Sequence, residues 1–326
     1  MVFENPLSAQ DFYAWQNQPG EKVLRLARLG NAVALLTDQR ILQLENGQWT
    51  VKWTADMPLT AAAVVGNNIW AGGNSGLSRI DGESWQSTGM SLEGNRAVTG
   101  IAAVEATAAG DKAIISSYQA GVFETDGNLL RKIGTEYNVN AICDCGGYRW
   151  LGTNAGLVRI KADEVVTYTE EGVKGFEIPD NVVDALYCPN GNKLVAIMPE
   201  AIDFFDLSSE SSASHGEHFD YVGERDNTVT DVLRMPDGSL LLLTEKGLLL
   251  LEGSYSAVHD HGEYAFKEVF SGNGQAQVVP LQLGAGGWQK AYLDTKGYAW
   301  LVSSGNSVKI KAKKLLKLAY ARRAQG

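Results

Sequence analysis

The sequence repeats itself, and this internal repeat limits the possible folds more than any other feature. Two segments, IWAGGNSGLSRI at residues 69–80 and RWLGTNAGLVRI at residues 149–160, match in residue type at eight of their twelve positions. Weaker copies follow the same frame, in which an apolar strand, a turn and a second apolar strand succeed one another. A repeat of this kind predicts an array of similar supersecondary units that bury their apolar faces against one another.

The spacing of the copies predicts the size of each unit. One apolar anchor position can be assigned in each copy: Ala34, Trp70, Ile115, Trp150, Val195, Leu241 and Trp300. Successive anchors are 36, 45, 35, 45, 46 and 59 residues apart, and four-stranded propeller blades repeat at about 40–50 residues. A short apolar strand precedes each anchor and a more polar strand follows, as in WTVKW at 49–53 and VVTYT at 165–169. The sequence therefore predicts an all-β protein, a seven-bladed β-propeller of four-stranded antiparallel blades.

The same frame predicts the organisation of the whole chain. Residues 1–21 precede the first copy, and we expect them to form a cap or a ring-closing segment that supplies an outer strand to the last blade. Residues 22–312 are expected to form the propeller, and residues 313–326 a basic C-terminal arm. A closed all-β architecture of this length is commonly one domain.

Three tryptophans stand at anchor positions, namely Trp70, Trp150 and Trp300. On the second strand of a blade, a large flat side chain fills the space between neighbouring blades. We therefore expect the three indole rings to lie in the core. The alternative is an exposed platform on which bases or sugars stack.

The motif WLGTNAGLVR at residues 150–159, with its counterpart at residues 70–79, resembles a known family. It is similar to the two-component-regulator propeller repeat in the sensor regions of bacterial hybrid histidine kinases. The resemblance implies the propeller fold of a bacterial sensor. In that family the propeller lies outside the membrane and is followed by a membrane span and kinase domains. This sequence contains neither, so the resemblance implies the fold of a propeller without a kinase and not a signalling activity.

Motifs for catalysis and cofactor binding are absent from the sequence. It has no phosphate-binding loop, dinucleotide fingerprint, nucleophile elbow or His-Glu-x-x-His zinc motif. Its four histidines, at positions 215, 218, 259 and 261, lie in polar connections, where we expect solvated side chains and no metal site. We therefore predict no cofactor and a non-enzymatic protein-interaction or scaffold module, an accessory subunit of a larger assembly.

The inner strands of the predicted blades carry polar residues that could form a site at the rim of a central funnel. Aligned by repeat, these candidates are Thr99, Asn140, Asp184, Asp231 and Lys290. A polar ring of this kind could hold an ion or a small ligand, or it could satisfy backbone groups in a hydrated channel. Two alternative functions depend on it: a propeller hydrolase or lyase that uses the carboxylates of Asp184 and Asp231, and a ligand-sensing domain.

The charge of the chain is unevenly distributed. The net charge is −10, but residues 309–326 contain seven Lys or Arg and no acid, which leaves 21 basic against 38 acidic residues elsewhere. An acidic body excludes general nucleic-acid binding, because phosphate is repelled by it. The C-terminal arm is expected to be a short helix or flexible, and to dock an acidic protein or an anionic lipid surface, or else to fold back on the acidic body. Its candidate contact residues are Lys314, Leu315, Leu316, Lys317, Leu318, Arg322 and Arg323. We expect its removal to leave the melting midpoint nearly unchanged.

The cysteines suggest a compartment. Cys143, Cys145 and Cys188 make neither an even disulfide framework nor a pair of metal knuckles, so we expect buried thiols in a reducing environment. The first residues lack the basic and apolar regions of a secretory signal, and no apolar segment approaches the length of a membrane span. These observations predict a soluble, cytoplasmic protein without a transmembrane segment.

Overall fold

A computed structural model describes the following parts of the chain: residues 11–90, 97–107, 110–118, 120–125, 130–133, 139–162, 164–172, 177–188, 191–199, 201–207, 216–220, 229–244, 248–251, 278–279 and 287–323. Within them the chain folds into β-strands and, at its C-terminal end, a helix. No helix in these residues is long and apolar enough to span a bilayer.

The strands form four-stranded sheets, which we number in chain order. Sheet 1 consists of β2 (Val23–Leu29), β3 (Ala32–Thr37), β4 (Arg40–Glu45) and β5 (Gln48–Thr54). Sheet 2 consists of β6 (Leu59–Val65), β7 (Asn68–Gly73), β8 (Gly76–Asp81) and β9 (Ser87–Met90). Sheet 3 consists of β10 (Val98–Thr107), β11 (Gly110–Ser117), β12 (Gly121–Thr125) and β13 (Leu130–Lys132). Sheet 4 consists of β14 (Val139–Cys145), β15 (Tyr148–Thr153), β16 (Gly156–Lys161) and β17 (Glu164–Tyr168).

The remaining sheets follow the same plan. Sheet 5 consists of β18 (Ala185–Tyr187), β19 (Lys193–Ile197), β20 (Ala201–Asp206) and β21 (Gly216–Asp220). Sheet 6 consists of β22 (Val229–Arg234), β23 (Leu240–Thr244), β24 (Leu248–Leu251) and β25 (Val278–Val279). Sheet 7 consists of β26 (Trp288–Leu293), β27 (Tyr298–Ser303) and β28 (Asn306–Lys311), with β1 (Phe12–Ala14) as its fourth strand. The helix α1 (Ala312–Arg323) follows β28.

The anchor positions of the repeat all lie in the second strand of a sheet, as predicted. They fall in β3, β7, β11, β15, β19, β23 and β27. The polar segments that were expected to form outer strands are β5 and β17. The repeat therefore located both the buried and the exposed strands of the sheets.

The outer strand of sheet 7 comes from the start of the chain. Phe12 pairs with Val308 in antiparallel register, and the hydroxyl of Ser307 donates a hydrogen bond to the carbonyl of Tyr13 at 2.9 Å. Trp15 adds two bonds, from its backbone N–H to the Gly305 carbonyl at 3.0 Å and from its indole Nε1 to the Ser303 carbonyl at 3.2 Å. The residues before the first repeat therefore supply a strand to the last sheet.

The chain divides into two compact units. Unit 1 contains residues 1–26, 44–50 and 219–326, and unit 2 contains residues 27–43 and 51–218. Each unit is described by itself below.

The core of unit 2 shows how neighbouring sheets pack. Trp150 of sheet 4 is fully buried, and its ring lies 5.4 Å from that of Phe205 of sheet 5 and 5.9 Å from that of Tyr168, between ring centroids. Burial raises the pKa of the Tyr168 hydroxyl to about 12. The three rings join two sheets, which confirms that Trp150 is a core residue.

A glycine two residues after the anchor allows the sheets to approach closely. A Cβ built on Gly152 would lie 2.8 Å from the side chain of Val183, and one on Gly72 would lie 2.6 Å from that of Val98. Both valines precede or begin the inner strand of the next sheet. The glycine of the Trp-x-Gly motif is therefore a packing residue, because any side chain there would push the next sheet away.

We expect Trp150→Ala to lower the free energy of unfolding by about 3–5 kcal/mol, because the substitution leaves a cavity between two sheets. Urea unfolding followed by circular dichroism measures this loss. Trp53→Ala is the matched control. Trp53 is only half-buried on an outer strand, so this substitution should lower the free energy of unfolding by less. An unchanged midpoint for Trp150→Ala would mean that the ring is not a core residue.

Candidate functional site

Five of the inner strands have a β-bulge at their second residue, and four of the predicted funnel residues, Thr99, Asn140, Asp231 and Lys290, lie at or beside it. Register shifts mark this position in five sheets, at Thr60, Thr99, Asn140, Thr230 and Gln289. A bulge leaves one residue outside the ladder and redirects its side chain. When the inner strands are aligned by their bulges, Thr230 and Gln289 occupy the same position in their strands as Thr99 and Asn140 do in theirs. Asp231 and Lys290 each lie one residue further on.

In unit 2 two of the bulge side chains, those of Thr60 and Asn140, bond to the next sheet. Thr60 donates from its hydroxyl to the carbonyl of Val98, at the start of sheet 3. Asn140 donates from Nδ2 to the carbonyl of Val183, just before β18, at 3.2 Å. Each bond satisfies a backbone carbonyl at the start of an inner strand and holds two sheets together.

Unit 1 uses the same arrangement. The hydroxyl of Thr230 lies 2.6 Å from the carbonyl of Trp288, at the start of sheet 7. Gln289 accepts at Oε1 from the backbone N–H of Val23, at the start of β2, at 3.2 Å. We call these four side-chain bonds the inter-sheet latches.

Asp231 and Lys290 also join two inner strands of unit 1. Asp231 accepts from the N–H of Ala291 at 2.7 Å and from that of Val232 at 3.0 Å, and Lys290 donates from Nζ to the Thr230 carbonyl at 2.6 Å. Burial raises the pKa of the Asp231 carboxyl, while Lys290 and the two backbone bonds oppose the shift. The geometry is that of a structural carboxylate.

Thr99 and Asp184 in unit 2 have different surroundings. The Thr99 and Ser116 hydroxyls are 2.9 Å apart within sheet 3. Asp184 is exposed, and partial burial of its carboxyl, followed by the charge of Asp180, raises its pKa. Among the described residues, no group of three or more His, Cys, Asp or Glu side chains could hold a metal ion. Of the histidine positions, 215, 259 and 261 lie outside the described residues.

The raised pKa of Asp231 predicts a pH dependence of stability. Folding raises the pKa of the Asp231 carboxyl above 3.8, so protonation of this group favours the folded state. The stability that the protonated carboxyl contributes is complete below pH 3.8 and is lost as the pH rises through the pKa of the folded state. Asn cannot ionise. The free energy of unfolding of the wild type minus that of Asp231→Asn should therefore fall as the pH rises from 3.8 through the pKa of the folded state.

Chemical denaturation at a series of pH values measures this difference. Asp56→Asn, at an exposed position, is the control and should show no comparable trend. A difference that grows with pH would contradict the assigned environment of Asp231.

The predicted C-terminal arm is a helix that is packed onto unit 1. Leu315 is 2% exposed and Leu316 is 7% exposed, and both belong to a core cluster that includes Leu233, Trp288 and Leu301. The expectation that removal of this segment leaves the melting midpoint nearly unchanged is therefore wrong, because Leu315 and Leu316 fill the core. The side chains of Leu318, Arg322 and Arg323 lie outside the described residues.

We expect Leu315→Ala to lower the free energy of unfolding by about 2–5 kcal/mol, as for other buried leucines. Lys314→Ala, at the adjacent exposed position, should change it by less than about 0.5 kcal/mol. Denaturant unfolding of both variants measures the contrast. Equal effects would show that the helix is not packed through Leu315.

Five lysines of this region lie close together in the sequence, and all but the partly buried Lys309 are exposed; we call them the lysine ridge. It consists of Lys309, Lys311, Lys313, Lys314 and Lys317. Lys309 lies 4.5 Å from the Tyr298 ring centroid and 5.0 Å from that of Trp300, and Lys311 lies 5.2 Å from Tyr298. These contacts hold the β28 ammonium groups over aromatic faces. Of the predicted contact residues, the ridge contains Lys314 and Lys317, which are exposed, and not Leu315 and Leu316, which are buried.

Cys145 and Cys188 are bonded to each other, so the expectation of free buried thiols was wrong for these two residues. Cys145 ends β14 and Cys188 follows β18, so they occupy similar places in successive sheets with Cα atoms 5.6 Å apart. Their separation of 43 residues is close to the repeat interval, which is the signal that could have revealed the pair. Cys143 is not part of a disulfide.

Comparisons with known proteins find fold relatives only. No protein-family profile and no curated protein matches the sequence. The extracellular domain of the one-component system BT4673 from B. thetaiotaomicron matches with a TM-score of 0.65 and 13% identity, over 93% of this chain and 40% of that chain. This chain thus spans two fifths of that neighbour's length.

Two further neighbours match along nearly their whole length. YCF48 bound to D1 peptide has a TM-score of 0.62 and 12% identity, over 93% of this chain and 96% of the neighbour. A streptogramin B lyase has a TM-score of 0.63 and 11% identity, over 91% of this chain and 97% of the neighbour. Identities this low show the fold alone. The chain is an all-β protein with the β-propeller fold and four-stranded antiparallel blades.

Proposed function

We propose that this chain is a non-enzymatic protein-interaction module, an accessory subunit of a larger assembly, that docks an acidic protein partner through the lysine ridge. The observation that carries the proposal is the ridge itself. Its five lysines fall within nine residues, and residues 309–326 contain no acid, whereas the rest of the chain has 21 basic and 38 acidic residues.

The ridge is suited to docking because it is positioned before a partner arrives. Lys313, Lys314 and Lys317 are exposed on a helix that Leu315 and Leu316 fix to the core. Lys313 and Lys317 are four residues apart and so share one face of the helix. A fixed row of charges steers an oppositely charged partner and loses little conformational entropy on binding.

The fold supports the same function. We infer that the seven sheets close into one ring of seven blades, as the repeat predicts, and that the chain is a bacterial propeller of the sensor type without a kinase. Propellers present rigid surfaces with many loops, and one fold neighbour is a peptide complex. A cytoplasmic location stays a prediction, and the Cys145–Cys188 bridge removes the cysteine argument for it.

An enzymatic or sensing function receives less support from the inner strands. A hydrolase or lyase would use Asp184 and Asp231, but the Asp231 carboxylate already accepts two backbone N–H groups. Asn140 and Lys290 donate to backbone carbonyls. Groups engaged in joining sheets are poorly placed to bind a ligand.

Charge reversal of the ridge tests the proposal. The full-length chain is used as bait in extracts of its native source, and the captured partner is then purified for titration. We expect Lys313→Glu with Lys317→Glu to weaken partner binding by about ten-fold or more at low salt, with a smaller difference at high salt. Anionic vesicles are titrated in parallel.

The matched control is Lys22→Glu with Lys52→Glu, which changes the net charge by the same amount in another part of the chain. It should bind the partner nearly as tightly as the wild type. Equal losses in both double variants would overturn the docking role of the ridge, and binding to vesicles alone would replace the protein partner by a lipid surface.

A further inference from the structure

A second basic site lies in unit 2, far along the chain from the lysine ridge. We propose that an open depression beside the Cys145–Cys188 disulfide binds a short acidic peptide segment of a partner protein. This site goes beyond the proposed function of the ridge and does not depend on it, because its residues belong to sheets 3, 4 and 5.

The depression has the size and the charge of a peptide site. Its volume is about 730 Å³, within the range of about 300–1,000 Å³ that is typical of ligand pockets. Its lining contains four basic side chains and one acidic side chain: Arg131, Lys132, Arg149, Lys161 and Asp144. A volume of this size exceeds a single carboxylate, so it fits several residues of a chain.

Ion pairs at its edge hold the cations without neutralising them. Glu124 lies 2.7 Å from Lys112, 3.6 Å from Arg149 and 3.8 Å from Arg131, and the hydrogen bond from Lys112 is the main cause of its lowered pKa. Arg149 also pairs with Asp144 at 3.1 Å. Three cations therefore share two carboxylates, and the lining of the depression itself has four basic side chains against the one carboxylate of Asp144.

An aromatic ring positions a further cation at the depression. Lys161 Nζ lies 5.1 Å from the ring centroid of Tyr148, and the guanidinium carbon of Arg159 lies 4.9 Å from the same centroid. Tyr148 is itself buried. A buried ring that already contacts two cations is a poor platform for stacking a base, so the chemistry favours carboxylates over nucleic acid.

The wall of the depression is built from fixed backbone. The disulfide joins sheets 4 and 5, and the N–H of Gly146 donates to the Gly191 carbonyl at 2.8 Å. A Cβ built on Gly147 or Gly191 would meet no atom within 4 Å, so both glycines present open backbone to an incoming chain. A site that is formed in advance binds with less loss of conformational entropy.

The test uses fluorescein-labelled hexaglutamate as the probe and fluorescence anisotropy as the readout. The parent protein is the full chain with Lys313→Glu and Lys317→Glu, so that the probe does not report binding at the ridge. We expect Arg131→Glu with Lys161→Glu in this parent to weaken hexaglutamate binding by about ten-fold or more. Arg131 has 74% of its side chain exposed and Lys161 is exposed, so both substitutions are compatible with folding.

Arg234→Glu with Lys22→Glu is the matched control, because both residues are exposed, and it should bind hexaglutamate like the parent. Arg131→Gln with Lys161→Gln, which only removes charge, should give an intermediate loss of hexaglutamate affinity.

Cys145→Ala with Cys188→Ala keeps all charges and should weaken hexaglutamate binding several-fold, whereas Cys143→Ser should not. Unchanged affinity in the Arg131→Glu and Lys161→Glu variant, or tighter binding of single-stranded DNA than of hexaglutamate to the parent, would overturn the proposal.

Discussion

The structure depends on one constraint: the second strand of each sheet is apolar on both faces, so it must be covered by another sheet. The burial of β7, β15, β19, β23 and β27 shows this directly, since nearly every residue in them is inaccessible to water. In unit 2 the requirement is met by large rings, as between Trp150 and Phe205. It is also met by close approach, as between Gly152 and Val183. Burial of this kind is the main driving force for folding.

Polar groups on the inner strands are subject to the same constraint. Where sheets converge, backbone carbonyls lose access to water and must find donors within the protein. The latches of Thr60, Asn140 and Thr230 supply such donors, whereas the Gln289 latch accepts from a backbone N–H. Asp231 and Lys290 add further bonds between β22 and β26. Asn140, Asp231 and Lys290 therefore serve as connections between neighbouring sheets.

The apolar periodicity of the sequence predicted the buried strands, but it was less informative about the pairing register of the strands. Every anchor residue lies in a second strand because apolar runs recur wherever sheets pack. The alignment of the repeats by sequence differs by one residue from the structural alignment at Asp231 and Lys290. The apolar pattern of the sequence does not show where a bulge interrupts the hydrogen bonding. The disulfide joins positions separated by 43 residues, which only a comparison between successive repeats could suggest. Leu315 was predicted to contact a partner because the many basic residues around it suggested an exposed segment, whereas its side chain is buried.

The strand that completes sheet 7 has a consequence for biosynthesis. Tyr13 and Ser307, which are hydrogen-bonded to each other, are separated by 294 residues. At about 5–20 residues per second, a ribosome needs about 15–60 s to translate that interval. During that time β1 is an unpaired edge on the nascent chain, and the sheet it belongs to does not yet exist. In a crowded polysome, β1 of one chain can pair with sheet 7 of a neighbouring chain, which is the geometry of a domain-swapped dimer. Sheet 7 of unit 1 is thus completed only after Ser307 has been synthesised, and the fidelity of its folding depends on how well each chain is kept apart from its neighbours until then.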